Sequence, residues 1–397
     1  MHTPKLGSVL IVLHRVGPYH HARFQAAASV LPCPLLVLQT RPQSQEYPWT
    51  FSVEGAAYTL LSLEGARSTE QDPPRSLLRS QLEAVLERYH PSVIVSVGWA
   101  DLAYLCLLHL SQQRHIPLIV VSDSRKSDSA RSPLKEWCKR YLLRGYSAAF
   151  VAGSQSLHYL LQLGIPRNSI YKPWDVVDNK LIAHCVAETR PSSLINTARP
   201  FLCVGRFISE KNHALLLKAF ACYQLQGGKR SLLLVGHGPL KESIRKECAQ
   251  LPHPSQVKMI PFVDFEQLAA HYGHAHSLVL ASRKDTWGLV VNEAMAAGLP
   301  VIVSSACGCV DDLIEHTVTG WRFSSSGYVD LASCLFQADI QSVDERNRMT
   351  QAAHKRLSEF SLESFALGFK EACDYALAHP RYSIRSKILA YLLQMRH

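Results

Sequence analysis

The stretch Lys284–Ser305, KDTWGLVVNEAMAAGLPVIVSS, combines an apolar run with two acids eight positions apart, Asp285 and Glu293, and a glycine between them. A plain core helix has no use for Asp285, Asn292 and Glu293 beside Leu289, Val290 and Val291. A binding site at a helix start does. SLVLAS (277–282) precedes it as a buried strand, RKDTWG is a loop, and LVVNEAMAA opens a helix. Gly288 lets the first amides of that helix, at Gly288, Leu289 and Val290, face an anion. Glu293 then lies about two turns inside the helix, where a carboxylate is costly unless it accepts hydrogen bonds. Ribose hydroxyls are one source of them.

The same strand–loop–helix unit recurs along the chain. In the first half VLIVL (9–13), CPLLVL (33–38), SVIVSV (92–97), PLIVVS (117–122) and AAFVAG (148–153) are short apolar runs that suit strands buried on both faces. The second half repeats the rhythm with FLCVG (201–205), SLLLVG (231–236), VKMIPF (257–262), SLVLAS (277–282) and PVIVSS (300–305). Helical patterns such as 75–90 and 132–146 stand between them. Strand–helix alternation predicts an α/β protein of doubly wound parallel sheets, whose ligands bind beyond the carboxyl ends of the strands. The polar, proline-bracketed segment around 183–200 interrupts the rhythm. It predicts a first domain over 1–185, a second over 186–375, and a helical tail over 376–397 that returns to the first.

The chain's 397 residues suit two domains, and a hydrophobic content of 47% supports sizeable cores. No apolar run approaches a bilayer span, and the N-terminal stretch is too short for a signal peptide, so a cytoplasmic location is expected. The eleven cysteines lack metal or redox spacing; even Cys307 and Cys309 have one residue between them and are read as structural. A net charge of +10 favours an anionic partner: phosphates, a membrane surface or nucleic acid. Charge alone does not choose among them. The segment 132–146, with Lys135, Lys139, Arg140 and Arg144 among Leu134, Trp137, Tyr141 and Leu142, fits either an anionic lipid surface or an ordinary amphipathic helix. The C-terminal 382–397 has the same ambiguity. No recognised nucleic-acid module accompanies the basic residues.

Three further strand ends of the second half carry polar or flexible residues. Arg206 and Lys211 follow FLCVG just before a helix over 213–225, an arrangement suited to clamping a diphosphate. Gly236 and Gly238 make a tight turn after SLLLVG that lets backbone approach a ligand; the turn lacks the full dinucleotide fingerprint. Phe262 and Val263 follow VKMI, placed to frame a base. VGRFISEKN, LLLVGHGPL, DTWGLVVNEAMAAGLPVIVS and DLIEHTVTGW stand in one order over about 201–323. In that order and spacing they resemble the donor domain of glycosyltransferase family 4, a family of the two-domain GT-B fold.

The resemblance implies two Rossmann-like domains facing a cleft, and a sugar moved from a nucleotide diphosphate to an acceptor hydroxyl with retention of anomeric configuration. Arg206 and Lys211 would hold the diphosphate, Glu293 the ribose and Asp285 the sugar hydroxyls. The family usually has Glu at the position of Asp285 and commonly Phe at that of Trp287. In the first half it implies a glycine loop after the first strand, with Gly17 as candidate, in a segment also holding His14, Arg15, His20, His21 and Arg23. The family's later-strand histidine has no counterpart; Asp123 is the candidate for its place. Asp178 and Asn179 are expected to line the cleft. No metal and no cofactor is expected, the nucleotide sugar being a co-substrate, since Arg206, Lys211 and a helix start neutralise the diphosphate. Two other readings stay open: a nucleotide-sugar epimerase of similar architecture, and a nucleotide-sugar-binding protein without transfer.

Overall fold

The computed structural model describes residues 7–42, 53–63, 74–189 and 199–395. It divides into two compact units, unit 1 formed by Met1–Val176 with Leu362–His397 and unit 2 by Val177–Ser361.

Unit 1 runs β1 (Val9–Leu13), α1 (Pro18–Val30), β2 (Leu35–Gln39), β3 (Thr59–Ser62), α2 (Arg75–Tyr89), β4 (Val93–Ser96) and α3 (Leu102–Arg114). It continues with β5 (Leu118–Ser122), α4 (Pro133–Leu143), β6 (Ala148–Val151), α5 (Ser154–Gln162) and β7 (Ile170–Tyr171). Its sheet is parallel, in the order β3-β2-β1-β4-β5-β6-β7. All five residues of β1 and of β5 are buried, which is what continuous apolar runs become when both faces of a sheet are covered.

Unit 2 runs α6 (Asn179–Thr189), β8 (Phe201–Val204), α7 (His213–Leu225), β9 (Leu232–Val235), α8 (Lys241–Ala249), β10 (Val257–Ile260) and α9 (Phe265–His274). After these come β11 (Ser277–Leu280), α10 (Leu289–Ala296), β12 (Val301–Ser304), α11 (Val310–Leu313), β13 (Trp321–Phe323), α12 (Tyr328–Ile340) and α13 (Val343–Leu357). Its sheet is also parallel, in the order β10-β9-β8-β11-β12-β13. The chain then supplies α14 (Leu362–Ala378) and α15 (Ile384–Gln394) to unit 1.

The expected boundaries shift. The first crossing falls at 176/177 and not 185/186, because α6 packs on α9 and α10 of unit 2. The return falls at 361/362 and not 375/376, because α14 packs along α1 and against β6 and β7. Phe365 and Phe369 of α14 stand 5.4 and 5.9 Å from Phe150 of β6, ring centre to ring centre. Much of the polar segment once expected as the junction, 190–198, lies outside the described residues. Asp178 and Asn179 have local duties: Asp178 accepts a hydrogen bond from the Leu181 amide at the start of α6, and the Asn179 amide donates to the Phe360 carbonyl. Three strands were not anticipated. β3 lies at a sheet edge with no fully buried residue, while β7 and β13 are only two and three residues long.

Two histidines in unit 2 are buried without charge. His276, 1% exposed, has its Nε2 2.8 Å from the Ala338 carbonyl; burial and then Arg346 lower its pKa to about 3. Burial, and then Lys211, lower that of His213 to about 4. Below pH 6.5 the unfolded chain takes up protons that these folded rings refuse, so stability falls as pH drops from about 6.5 towards 4. The urea midpoint of unit 2 is expected to be lower at pH 5 than at pH 7, with a smaller difference in His276→Gln. Equal differences in parent and variant would show that His276 does not carry this linkage.

Candidate donor site at the switch point of unit 2

In a sheet ordered β10-β9-β8-β11, the connections leave β8 and β11 in opposite directions, and the crevice at their carboxyl ends is where open α/β sheets bind ligands. The two loops at that point are joined. The Arg283 amide donates to the Glu210 carbonyl at 2.8 Å, and the Arg283 guanidinium donates to the Asn212 side chain at 2.9 Å. At their centre the Lys211 ammonium lies 2.6 Å from Asp285 Oδ2, which also accepts from the Ser282 hydroxyl at 3.2 Å. Burial opposes the charge on Lys211, but the Asp285 carboxylate, by charge and hydrogen bond, holds its pKa above the ordinary lysine value. Both side chains keep a little exposure, 20% and 12%, so the pair remains open to a ligand. Arg206 stands two residues past the end of β8 and is partly buried.

The loop holding Asp285 is clamped from below by the turn after β12, where Cys307 and Cys309 were read as structural and Gly308 between them carried no signal in the sequence. The Gly308 amide donates to the Asp285 carbonyl and the Cys309 amide to that of Trp287, both at 3.0 Å. A side chain at Gly308 would place a Cβ 1.8 Å from the Thr286 carbonyl oxygen, so only glycine fits. Cys307 and Cys309 are fully buried beside it. Gly288 adopts a φ of 101°, the left-handed conformation that favours glycine, and turns the chain into α10. This aims the first amides of α10, those of Leu289 and Val290, off the helix start, where they have no intrahelical acceptor.

Other expected residues are placed differently. The Trp287 indole is 2% exposed, donates to Asn292 at 2.9 Å and lies 5.3 Å from the Phe360 ring, so its side chain belongs to the core rather than a donor surface. Gly236 and Gly238 do allow close approach, but of their own chain: a Cβ on either would fall 1.9 Å from the Gly205 carbonyl or 2.6 Å from that of Phe207. Glu293 is the fifth residue of α10, little more than one turn in and not the two expected; it is 1% exposed, and its Oε2 accepts a 2.5 Å hydrogen bond from the Tyr272 hydroxyl of α9. Phe262 and Val263 emerge from β10 at the sheet edge, Phe262 40% exposed and edge-on to His237.

Gly17 and Asp123 lie in unit 1. Gly17 precedes α1 with an ordinary φ of −115°, its amide donating to His20 at 3.2 Å. Asp123 follows β5 close to Asp175, which pairs with the buried Arg23 at 3.0 Å. Burial and the Asp175 carboxylate push the Asp123 carboxyl well above the usual carboxylate range, with Arg23 partly offsetting them.

Two family models match the chain: glycosyl transferases group 1 over residues 186–356, and the glycosyl transferase 4-like domain over 14–171. Among curated relatives, an uncharacterised glycosyltransferase of Methanocaldococcus jannaschii is 30% identical over 148 residues, 37% of either chain. A GDP-Man:Man(3)GlcNAc(2)-PP-Dol alpha-1,2-mannosyltransferase of Mus musculus is 26% identical over 237 residues, 55% of this chain and 46% of its own. The alpha-monoglucosyldiacylglycerol synthase of Streptococcus pneumoniae is 28% identical over 42% of this chain and 36% of its own. The matches thus span about a third to a half of those relatives' length. Two solved structures share the GT-B fold. One is a Rickettsia africae glycosyltransferase, with a TM-score of 0.73 and 15% identity over 94% of this chain and 99% of that one. The other is Anabaena HepE in complex with UDP, with a TM-score of 0.72 and 17% identity over 92% and 99%.

The Tyr272–Glu293 bond separates a structural from a ligand-binding duty. Tyr272→Phe removes the donor and is expected to lower stability by about 1–3 kcal/mol, since a buried carboxylate loses a partner. Glu293→Gln should cost less, as the amide can still accept from Tyr272. Urea unfolding of both variants checks this; equal stability of Tyr272→Phe and the parent would mean another group satisfies that oxygen.

Proposed function

Since the chain belongs to glycosyltransferase family 4, the glycosyl transferases group 1, we propose that it transfers a sugar from a nucleoside-diphosphate donor to an acceptor hydroxyl. The observation that carries this reading is the Lys211–Asp285 pair at the switch point of unit 2, beside the glycine-led start of α10. Arg206, Lys211 and the amides of Gly288, Leu289 and Val290 gather positive charge and hydrogen-bond donors, which suits a diphosphate. Asp285, already positioned by Lys211 and Ser282, offers a carboxylate to sugar hydroxyls. Glu293 serves the ribose, with Tyr272 fixing one of its oxygens. Phe262 and Val263 frame the base. Gly17 and Asp123 enter from the family resemblance, Asp123 as a hydrogen-bonding partner for the sugar.

The reaction we propose retains the anomeric configuration. The diphosphate leaves and the acceptor attacks on one face of the sugar, and a diphosphate oxygen takes the acceptor's proton as the new glycosidic bond forms. Such a route depends on neutralising the diphosphate more than on a strong protein base, and Arg206 and Lys211 supply that neutralisation without a divalent ion. The named relatives differ in nucleotide, GDP-mannose in the mouse enzyme and UDP in the HepE complex, so both nucleotides are the probes.

Arg206→Ala and Lys211→Ala are each expected to weaken GDP or UDP binding by about 1.5–3 kcal/mol, the worth of a charge-assisted hydrogen bond. Calorimetric titration decides it; parent-like affinity in both variants would remove the clamp. With an α-linked donor, NMR of the product's anomeric proton is expected to show an α-linkage, and EDTA to leave the rate unchanged. A β-linkage overturns retention, and loss restored by magnesium overturns metal independence.

A membrane-borne acceptor is favoured by α4, where Leu134 and Trp137 are 70% and 51% exposed beside Lys135 and Arg140. No helix among the described residues is long and apolar enough to cross a membrane. Cosedimentation with phosphatidylglycerol vesicles is expected, and to be lost in Trp137→Ser. Equal pelleting of parent and variant would take α4 out of the reading.

A further inference from the structure

The sheets of the two units correspond strand by strand near their switch points, β3-β2-β1-β4-β5 in unit 1 and β10-β9-β8-β11-β12 in unit 2. In unit 2 the loop after the first strand of that set supplies a cation and the loop after the fourth supplies an acid, Lys211 and Asp285. Unit 1 repeats the arrangement with different residues. His14 follows β1 directly, Asp101 stands after β4 at the start of α3, and His14 Nε2 lies 2.6 Å from Asp101 Oδ2. The other ring nitrogen, Nδ1, is 2.9 Å from the hydroxyl of Thr40, a fully buried residue just past β2. The imidazole packs against the Tyr104 ring with centres 4.9 Å apart, and an Arg41 guanidinium nitrogen is 4.0 Å from the same Asp101 oxygen.

Three strand ends therefore converge to hold one carboxylate. A partly exposed histidine–carboxylate contact adds little to stability and does not call for both nitrogens of its histidine to be anchored. Anchoring both fixes the ring, and through the ring the orientation of Asp101, whose side chain remains 49% exposed at the crevice where parallel sheets take ligands. A carboxylate is an acceptor-only group, so what it binds must bring hydrogen-bond donors. Hydroxyls meet that need. We propose that Asp101 binds hydroxyl groups of the transfer acceptor, a sugar or other polyol, and that His14 is its positioning residue. The identity of that ligand as the acceptor rests on the transferase reading; the hydroxyl-binding site in unit 1 rests on the geometry alone.

The test uses the full chain saturated with UDP or GDP, and saturation-transfer NMR with methyl α-mannoside, methyl α-glucoside and glycerol as probes. The parent is expected to transfer saturation to at least one of them. Asp101→Asn and His14→Leu should each reduce the signal about tenfold, the loss of a charge-assisted hydrogen bond or of its alignment. His14→Gln, which keeps an N–H donor towards Asp101, should restore much of it, a rescue that a merely structural role does not produce. Lys211→Ala serves as the control for the other site: it should lose nucleotide affinity and keep the probe signal. If Asp101→Asn proves unstable, Thr40→Val, which frees one ring nitrogen, should lower the signal with the fold intact. No signal in the parent, or a signal unchanged in Asp101→Asn, overturns the proposal. Failure of the nucleotides to bind the parent, with the probe signal intact, overturns the donor reading and leaves Asp101 as a hydroxyl-binding group.

Discussion

A lysine ammonium held 2.6 Å from an aspartate carboxylate, at the point where the strand connections of unit 2 part, sets most of what surrounds it. For the pair to form, the loop after β8 and the loop after β11 must lie against each other, and the backbone bond from Arg283 to Glu210 records that contact. For Asp285 to stay in place, its own loop must be pinned by the turn after β12. That demand explains Gly308, which no chemistry at the ligand requires. The same crowding accounts for Gly236 and Gly238, whose missing side chains make room for the carbonyls of Gly205 and Phe207. Glycines that look like ligand-facing turns in the sequence are here the means by which four strand ends pack tightly enough to present a few side chains.

The two acids of the opening stretch play different physical parts. Asp285 keeps some exposure and balances a neighbouring positive charge. Glu293 is almost wholly enclosed and leans on a tyrosine from another helix. An apolar run tolerates the second acid because its hydrogen bond is supplied from within the protein, which meets the cost of burial without any ligand present. Asn292 meets the cost only in part: its Oδ1 accepts from the Trp287 indole, while its buried Nδ2 has no hydrogen-bond partner among the described residues.

The layout of the sheets was legible because strands buried on both faces must be apolar throughout, and ten such runs stand out from the helical patterns between them. Helix α7 was bounded to the residue, and α10 to within one, by the loops that precede them. Edge strands escaped notice for the converse reason: β3 is partly solvated, and β7 and β13 are too short to show a period. Strand order is not written in the local pattern at all. Partnerships that depend on it, Lys211 with Asp285 across 74 residues, Tyr272 with Glu293, His14 with Asp101 across 87, could be seen only once the sheets were assembled. Trp287 was expected among the donor residues because Asp285 and Gly288 stand near it in sequence, but its ring turns into the core.

The return of α14 and α15 to unit 1 makes unit 2 an insertion, in topological terms, within the sequence of unit 1. On the ribosome this reverses the usual order of completion. β1–β7 emerge first but lack the helix that covers α1 and β6, and they must wait while all of unit 2 is synthesised and can close its own continuous core. During that interval the apolar faces later covered by Phe365 and Phe369 are open to water and to chaperones. A chain cut between α13 and α14 would thus hold all of its second half and leave its first half unable to finish.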